Sequence, residues 1–201
     1  MKAQAKKYYY NLQLEEIDKI TESGRKPRLL MHTCCAMCAC WPVLYLTQFF
    51  DLTLFYYNDN IYPQEEYDKR FSELSRYVCE TNEKFNQNVK IIKTPYKGEE
   101  YIRNLELFGD SPEGGERCRL CYSLRLTEGM KYASENGYDY FCTVMTISRQ
   151  KNSAVLNRIG EQLEKEYPDV RYFYSDFKKE GGLEKGEKLA DPGAHGLYTD
   201  Q

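Results

Sequence analysis

Short apolar runs alternate with longer amphipathic stretches along most of this sequence, and the alternation limits the folds that the chain can adopt. Five short runs are predicted to be strands: RLLMH at 28–32, LTLFYYN at 52–58, VKIIK at 89–93, YFCTV at 140–144 and VRYFYS at 170–175. The stretches between them are predicted to be helices, near 41–50, 63–86, 98–107, 118–136 and 151–166. Strands separated by such helices need crossover connections. We therefore predict an α/β fold, with a parallel sheet of about five strands and helices on both faces.

The length of 201 residues favours a single α/β domain over 1–201. We expect an N-terminal helical extension over about 1–26 and an irregular C-terminal tail over about 184–201, where Pro192 and Gly193 interrupt any helix. No apolar run approaches the roughly 20 residues that a membrane span needs, and MKAQAKKYYY lacks the apolar centre of a signal peptide. These features predict a cytoplasmic protein with no membrane partner.

Cysteines are concentrated in two short segments. Cys34, Cys35, Cys38 and Cys40 lie within MHTCCAMCACWP, and the second segment, far downstream, is Cys118-Arg-Leu-Cys121. In a reducing compartment, thiols grouped in this way indicate a metal site, and thiolates select zinc, copper(I) or iron–sulfur clusters. The segment around 118–121 is predicted to begin a helix, whose dipole stabilises thiolates.

The choice of metal depends on the first pair. Side chains of adjacent residues diverge in extended backbone, so Cys34 and Cys35 need a loop to reach one site. A [4Fe–4S] cluster is easier for adjacent cysteines to bind, because each can bind a different iron. A single tetrahedral zinc ion would require both sulfur atoms to point at the same ion. Zinc remains the alternative. Cys38 is a candidate for a second metal or a redox thiol, and Cys40 is expected to enter the following helix.

Further cysteine, histidine and acidic residues have both a functional and a structural interpretation. Cys79 in the long helix and Cys142 in a strand are expected to pack inertly in the core. His32, at the end of the first strand, could be a ligand or a proton donor, and the favoured interpretation is a structural histidine packed by the loop. Asp59, beside Tyr57, could donate a proton, and the alternative is an ordinary solvated loop carboxylate.

Several motifs, in their order and spacing, resemble the QueH family of epoxyqueuosine reductases over about residues 28–182. The matching segments are LLMHTCCAMC, FYYNDNIYPQEEY, EGGERCRLCYSLRL, YFCTVMTISRQKN and YSDFKKEGG. The resemblance implies a Rossmann-like fold of the adenine-nucleotide α-hydrolase type that holds a [4Fe–4S] cluster. It implies reductive removal of the epoxide oxygen from epoxyqueuosine in tRNA, the last step of queuosine biosynthesis. Cys34, Cys35, Cys118 and Cys121 are the implied cluster ligands.

This chemistry suggests roles for further residues and partners. Epoxide deoxygenation takes two electrons, so Cys38 is the candidate ligand of a second iron or the second electron store. The sequence lacks a nicotinamide fingerprint and a Walker loop, which favours an external donor such as a ferredoxin. The net charge of −3 gives no global basic field, but local contacts with tRNA are expected from loop residues. These are Tyr57, Tyr62, Arg117, Arg119, Arg149 and Lys151.

The sequence departs from the family pattern at its end. Family members continue into a Cys-x-Cys pair, whereas residues 196–201 read GLYTDQ. Either this end is truncated or altered, or Cys38 and Cys40 replace the pair. Two rival functions are also open. A cluster-dependent tRNA sulfur-transfer enzyme needs a glycine- and serine-rich pyrophosphate loop where His32-Thr33-Cys34-Cys35 stands, and a zinc-stabilised nucleic-acid-binding module needs only four closed ligands.

Overall fold

Five parallel strands form the centre of the protein, in a computed structural model that describes residues 8–106, 108–109 and 111–190. The sheet has the order β3-β2-β1-β4-β5, and every neighbouring pair is parallel. The strands are β1 (Arg28–His32), β2 (Asp51–Tyr56), β3 (Lys90–Lys93), β4 (Tyr140–Thr143) and β5 (Arg171–Tyr172). The predicted α/β class is confirmed.

Seven α-helices accompany the sheet in the described part of the chain. They are α1 (Tyr8–Ser23), α2 (Ala36–Leu46), α3 (Gln64–Phe85), α4 (Gly98–Glu106), α5 (Glu116–Glu135), α6 (Ser153–Glu166) and α7 (Gly182–Ala190), with a 3₁₀ turn at Val144–Ile147. Local sequence sets their ends. Helix α3 stops at Asn86, whose left-handed backbone, φ 50°, suits asparagine. Helix α6 starts after Asn152, whose side chain accepts hydrogen bonds from the backbone N–H groups of Ala154 and Val155.

The two faces of the sheet are buried in two separate clusters, as the alternation of side chains along a strand requires. Leu29 and Met31 of β1 pack on one face with side chains of α1, α2 and α3. Leu30, between them, packs on the other face with side chains of α5 and α6. Helices therefore cover both faces, which explains why the strands are almost continuously apolar.

The strand order places the centre of the sheet at a switch point. The chain runs from β1 outward through β2 to β3, and then returns so that β4 lies on the opposite side of β1. In open parallel sheets, ligands bind outside the carboxyl ends of the strands where the order reverses. The loops that follow β1 and β4 meet at this point.

The structure corrects two of the predicted boundaries. Helix α2 begins at Ala36, earlier than the predicted 41–50, so Cys38 and Cys40 lie inside it. The prediction of an irregular tail is wrong for 184–190, because Leu183 and Leu189 pack on the core and hold the helix α7 there. The other residues of the predicted tail, 191–201, and residues 1–7 of the N-terminal extension lie outside the described residues.

The prediction for the two isolated cysteines was half right. Cys142 is fully buried in β4, as expected. Cys79 is exposed, because it follows Val78 by about 100° around helix α3 and leaves the buried face of that helix. Within the described ranges, every helix is too short or too polar to span a lipid bilayer.

Helix α6 packs so closely on β5 that one glycine is required. A β-carbon at Gly160 would lie within 3 Å of three ring atoms of the buried Tyr172. We expect Gly160→Ala to lower the free energy of unfolding by about 1–3 kcal/mol, because the ring has no free space to move into. Gly186→Ala in α7 is the matched control, since its β-carbon would meet its nearest neighbours at 3.6 and 3.7 Å. This control is expected to raise stability by about 0.5–1 kcal/mol, as alanine does in an open helical position. Urea denaturation measures both, and equal stabilities for the two variants would contradict the prediction.

Candidate metal centre

Three cysteines converge just after β1. Cys34 and Cys35 form the loop that leaves the strand, and Cys38 lies in the first turn of α2. The backbone at Cys35 is extended, φ −167° and ψ 167°, and the helix starts at the next residue. This bend removes the divergence expected for adjacent cysteines, so that the sulfur atoms of Cys34 and Cys35 lie 3.9 Å apart. The sulfur of Cys38 joins them, all three lying within 4.8 Å of one another.

The three thiols are electronically unequal. Hydrogen bonds from the thiols of Cys35 and Cys38 lower the pKa of Cys34, and the charge of Arg125 lowers it further. The same hydrogen bonding raises the pKa of Cys35 to about 12 and raises that of Cys38. One thiolate is thus stabilised within the group, and thiolate is the form that binds metals. The donor set and its spacing fit a metal, so these cysteines could bind one.

A buried arginine connects this loop to the rest of the sheet edge. Arg125 of α5 is 3% exposed, and its Nη2 donates to Oδ1 of Asn58 at 2.6 Å. Its Nε donates to Nε2 of His32 at 3.3 Å. Asn58 in turn donates to the carbonyl oxygen of Thr33 at 2.9 Å, directly before Cys34. The network joins the carboxyl ends of β1 and β2 to α5.

Arg125 also determines which ring nitrogen of His32 carries the proton. Because a guanidinium can only donate, Nε2 of His32 is the acceptor, and Nδ1 carries the proton that it donates to Oγ1 of Thr143 at 3.0 Å. The carbonyl oxygen of Tyr57, 3.2 Å from Nε2, is therefore a neighbour and not an acceptor. Burial, assisted by Arg125, lowers the pKa of His32 to about 3. The prediction of a structural histidine is confirmed.

The second cysteine pair lies at the beginning of α5. The sulfur of Cys118 accepts a hydrogen bond from the N–H of Gly114 at 3.4 Å, and the carbonyl of Cys121 accepts one from the hydroxyl of Tyr101 at 3.0 Å. Cys121 precedes Arg125 by one helical turn on the same side of α5. Neither sulfur belongs to the group of three within 4.8 Å. Their role as cluster ligands stays a prediction.

Cys40 is separated from the other thiols. It is fully buried in α2, where its thiol donates to the carbonyl of Ala36 at 3.3 Å, and burial raises its pKa to about 12. Residues two apart on a helix face nearly opposite directions, so Cys38 and Cys40 cannot form a disulfide while α2 is intact. The alternative in which they replace a C-terminal Cys-x-Cys pair is not supported.

Asp59 and Tyr57 lie together on the other side of Asn58. Asp59 is 1% exposed, and its Oδ1 accepts a hydrogen bond from the N–H of Lys97 at 3.2 Å. The interpretation as a solvated loop carboxylate is therefore wrong. Burial raises the pKa of Asp59 and also that of Tyr57, whose ring is half-buried. Both side chains line a cavity of about 400 Å³.

The basic residues predicted to contact RNA lie in two places. Arg117 and Arg119 are exposed in the first turn of α5, next to Cys118. Arg149 and Lys151 follow the 3₁₀ turn after β4. Arg149 pairs with Glu187 at 3.1 Å, and the carbonyl of Lys151 accepts a hydrogen bond from Lys178 at 3.0 Å. Tyr62 is 65% exposed in the loop after β2. Binding of RNA by these residues stays a prediction.

The sequence analysis missed the residues that hold the site together, Arg125, Asn58 and Thr143. A usable signal was present for one of them. Arg125 stands in the apolar run SLRL, four residues after Cys121, so a helix that points Cys121 inward also points this arginine inward. Asn58 and Thr143 offered only their places at the ends of predicted strands.

Comparison with known proteins gives the family. Residues 29–201 match the family described as Epoxyqueuosine reductase QueH. The Epoxyqueuosine reductase QueH of Streptococcus pyogenes serotype M1 is 37% identical over 186 residues, which cover 92% of this chain and 72% of that protein. The protein of the same name from Staphylococcus aureus is 37% identical over 168 residues, 83% of this chain and 70% of its own. That of Thermotoga maritima is 31% identical over 167 residues, 81% of each chain. The chain therefore belongs to the QueH family of epoxyqueuosine reductases.

Proposed function

We propose that this protein is an epoxyqueuosine reductase that acts on tRNA, removing the epoxide oxygen as water to give queuosine. The observation that carries the proposal is the group of three cysteines at the switch point of the sheet, in a chain that matches the family along residues 29–201. The reaction consumes two electrons and two protons for each oxygen removed. The site therefore needs an electron-transfer group and proton donors.

We propose that Cys34, Cys35, Cys118 and Cys121 hold a [4Fe–4S] cluster and that Cys38 holds a second iron. When bound, the cluster supplies electrons one at a time at low potential. The stabilised thiolate at Cys34 and the position of Cys121 one turn before the buried Arg125 support this ligand set. With Cys40 buried in α2, Cys38 is the thiol of the first segment left for a further metal.

Tyr57 and Asp59 are the proposed proton donors. Both line the cavity of about 400 Å³, and burial raises the pKa of each. A raised pKa shifts a group toward its protonated form, which is the form that a general acid needs. An external low-potential protein such as a ferredoxin is the proposed electron donor, because each turnover consumes two electrons.

The metal content tests the ligand assignment. Anaerobically purified protein is expected to contain about four irons with matching sulfide and a brown chromophore, or about five irons if Cys38 binds one more. Cys34→Ala and Cys121→Ala are expected to lose the chromophore, whereas Cys38→Ala loses about one iron and keeps the colour. Cys79→Ser is the matched control, because that thiol is exposed on α3. Iron, sulfide and zinc analysis with visible absorption measures this, and stoichiometric zinc in a colourless protein would favour the zinc module and refute the reductase.

Turnover tests the reaction itself. The iron-loaded protein, supplied with a chemical reductant, is expected to convert epoxyqueuosine to queuosine in tRNA. Mass spectrometry of the digested nucleosides measures the conversion. Tyr57→Phe and Asp59→Asn are expected to lower kcat by about a hundredfold each if they donate protons, with the metal content unchanged. A sulfur-containing product nucleoside would instead support the sulfur-transfer enzyme.

Charge reversal tests the proposed RNA contacts. Lys151→Glu is expected to weaken tRNA binding and to reduce the slope of log affinity against log salt by about one, as loss of a phosphate contact does. Arg149→Glu is expected to do the same, since its exposed ion pair with Glu187 contributes little. Lys165→Glu is the control, because Lys165 is 73% exposed at the far end of α6. Equal salt slopes for all three variants and the wild type would remove these residues from the interface.

A further inference from the structure

The cavity lined by Tyr57 and Asp59 is rich in acidic side chains. It has a volume of about 400 Å³ and lies at the carboxyl end of β2, between α4 and α5. Its principal polar groups are those of Tyr57, Asp59, Glu100, Tyr101, Asn104 and Glu128. Asp59 and Tyr101 are buried and form its floor, whereas Glu100, Asn104 and Glu128 are exposed at its rim. The cavity is open enough to admit a polar group from outside.

Three carboxylates face this cavity. The pKa of the Tyr57 hydroxyl is raised by burial and then by the charges of Asp59, Glu128 and Glu100, so that the fields of all three acids converge on one group. Lys97 also lines the cavity, but neither Glu100 nor Glu128 forms an ion pair with any described residue. The excess negative charge suits a cationic ligand.

The carboxyl group of Asp59, at the floor of the cavity, accepts fewer hydrogen bonds than its two oxygens allow. Asp59 is 1% exposed, and its Oδ1 accepts one hydrogen bond from the N–H of Lys97. Its Oδ2 has no hydrogen-bond partner in the described part of the chain. Oδ2 is not one of the fully enclosed oxygens that lack a partner, so it is open to the cavity, where a ligand can complete its bonding. Oδ2 can accept from a ligand hydroxyl, or donate to one when Asp59 is protonated.

The cavity borders the part of α5 that carries Cys121, one of the proposed cluster ligands. The hydroxyl of Tyr101 donates to the carbonyl of Cys121 at 3.0 Å. On the opposite wall, Leu124 and Glu128 follow Cys121 at spacings of three and seven residues, which share one face of α5. A group that fills the cavity from its rim at Glu128 therefore lies along the face of α5 that also carries Cys121.

We propose that this cavity binds the side chain of the modified base, a protonated secondary amine that carries a hydroxylated cyclopentane ring. This inference rests on the proposed function and identifies the part of the substrate that is recognised. Epoxyqueuosine joins such an amine and ring to a 7-deazaguanine base. Glu100 and Glu128 pair with the ammonium at the rim, and Asp59 and Tyr57 bond the ring oxygens below. The pocket thereby distinguishes the modified nucleotide from guanosine, which has neither the secondary amine nor the cyclopentane ring.

Binding measurements with three anticodon stem-loops test the assignment without depending on turnover. Their wobble nucleotides are guanosine, 7-aminomethyl-7-deazaguanosine and queuosine, so that the second adds the amine and the third also adds the ring. The wild type is expected to bind them with increasing affinity. Glu100→Gln and Glu128→Gln are each expected to reduce the advantage of both amine-bearing stem-loops by about threefold to tenfold, leaving affinity for the guanosine stem-loop unchanged. Glu99→Gln is the matched control, because Glu99 is exposed on α4 and does not line the cavity.

The outcomes separate the two proposals. Turnover of epoxyqueuosine-tRNA together with an unchanged preference in both variants would overturn the pocket assignment alone. An equal loss of affinity for all three stem-loops would also overturn it, since that result indicates general binding of RNA. Absence of turnover by the iron-loaded wild type would refute the proposed function and with it the assigned ligand.

Discussion

A buried guanidinium connects the parts of this site. Arg125 is 3% exposed, and its hydrogen-bond partners, His32 and Asn58, are neutral. It forms no ion pair with a carboxylate in the described part of the chain. Burying a charge without an opposite charge is costly, so this position is favourable only when an anionic group lies near it. The group that responds is Cys34, whose pKa the arginine helps to lower. The buried positive charge of Arg125 thus favours the thiolate form of Cys34.

The same network fixes the backbone that presents the cysteines. Asn58 bonds the carbonyl of Thr33, and His32 bonds Thr143, so the end of β1 is held from both neighbouring strands. The chain then changes within one residue, Cys35, from extended backbone to helix. This bend brings adjacent cysteines together and places Cys38, in the first turn of α2, next to them. It also places Cys40 in the core. Cys38 therefore lies at the site, whereas Cys40 has a structural role.

The sequence predicted the sheet because apolar runs of strand length alternate with helical stretches, and the crossover rule then gives parallel strands. It predicted the cysteine group because clustered thiols have few structural uses. It did not predict Arg125, since an arginine in a single sequence is normally exposed and only its spacing from Cys121 indicates burial. Asp59 was misjudged for the same reason, as loop carboxylates are usually solvated. Helix α7 was missed because its packing on α2 is a long-range contact that local propensity does not encode.

The side chains of residues 57–59 face two different surroundings. Tyr57 and Asp59 face the acidic cavity, and Asn58 between them faces Arg125 and Thr33. This short segment after β2 therefore lies between the surroundings of Arg125 and the acidic cavity. Arg125 helps to lower the pKa of the Cys34 thiol, whereas burial and nearby carboxylates raise the pKa values of Tyr57 and Asp59. The distance between the proposed electron source and the proton donors is consequently fixed by the backbone after β2, which Asn58 holds in place through its two buried hydrogen bonds.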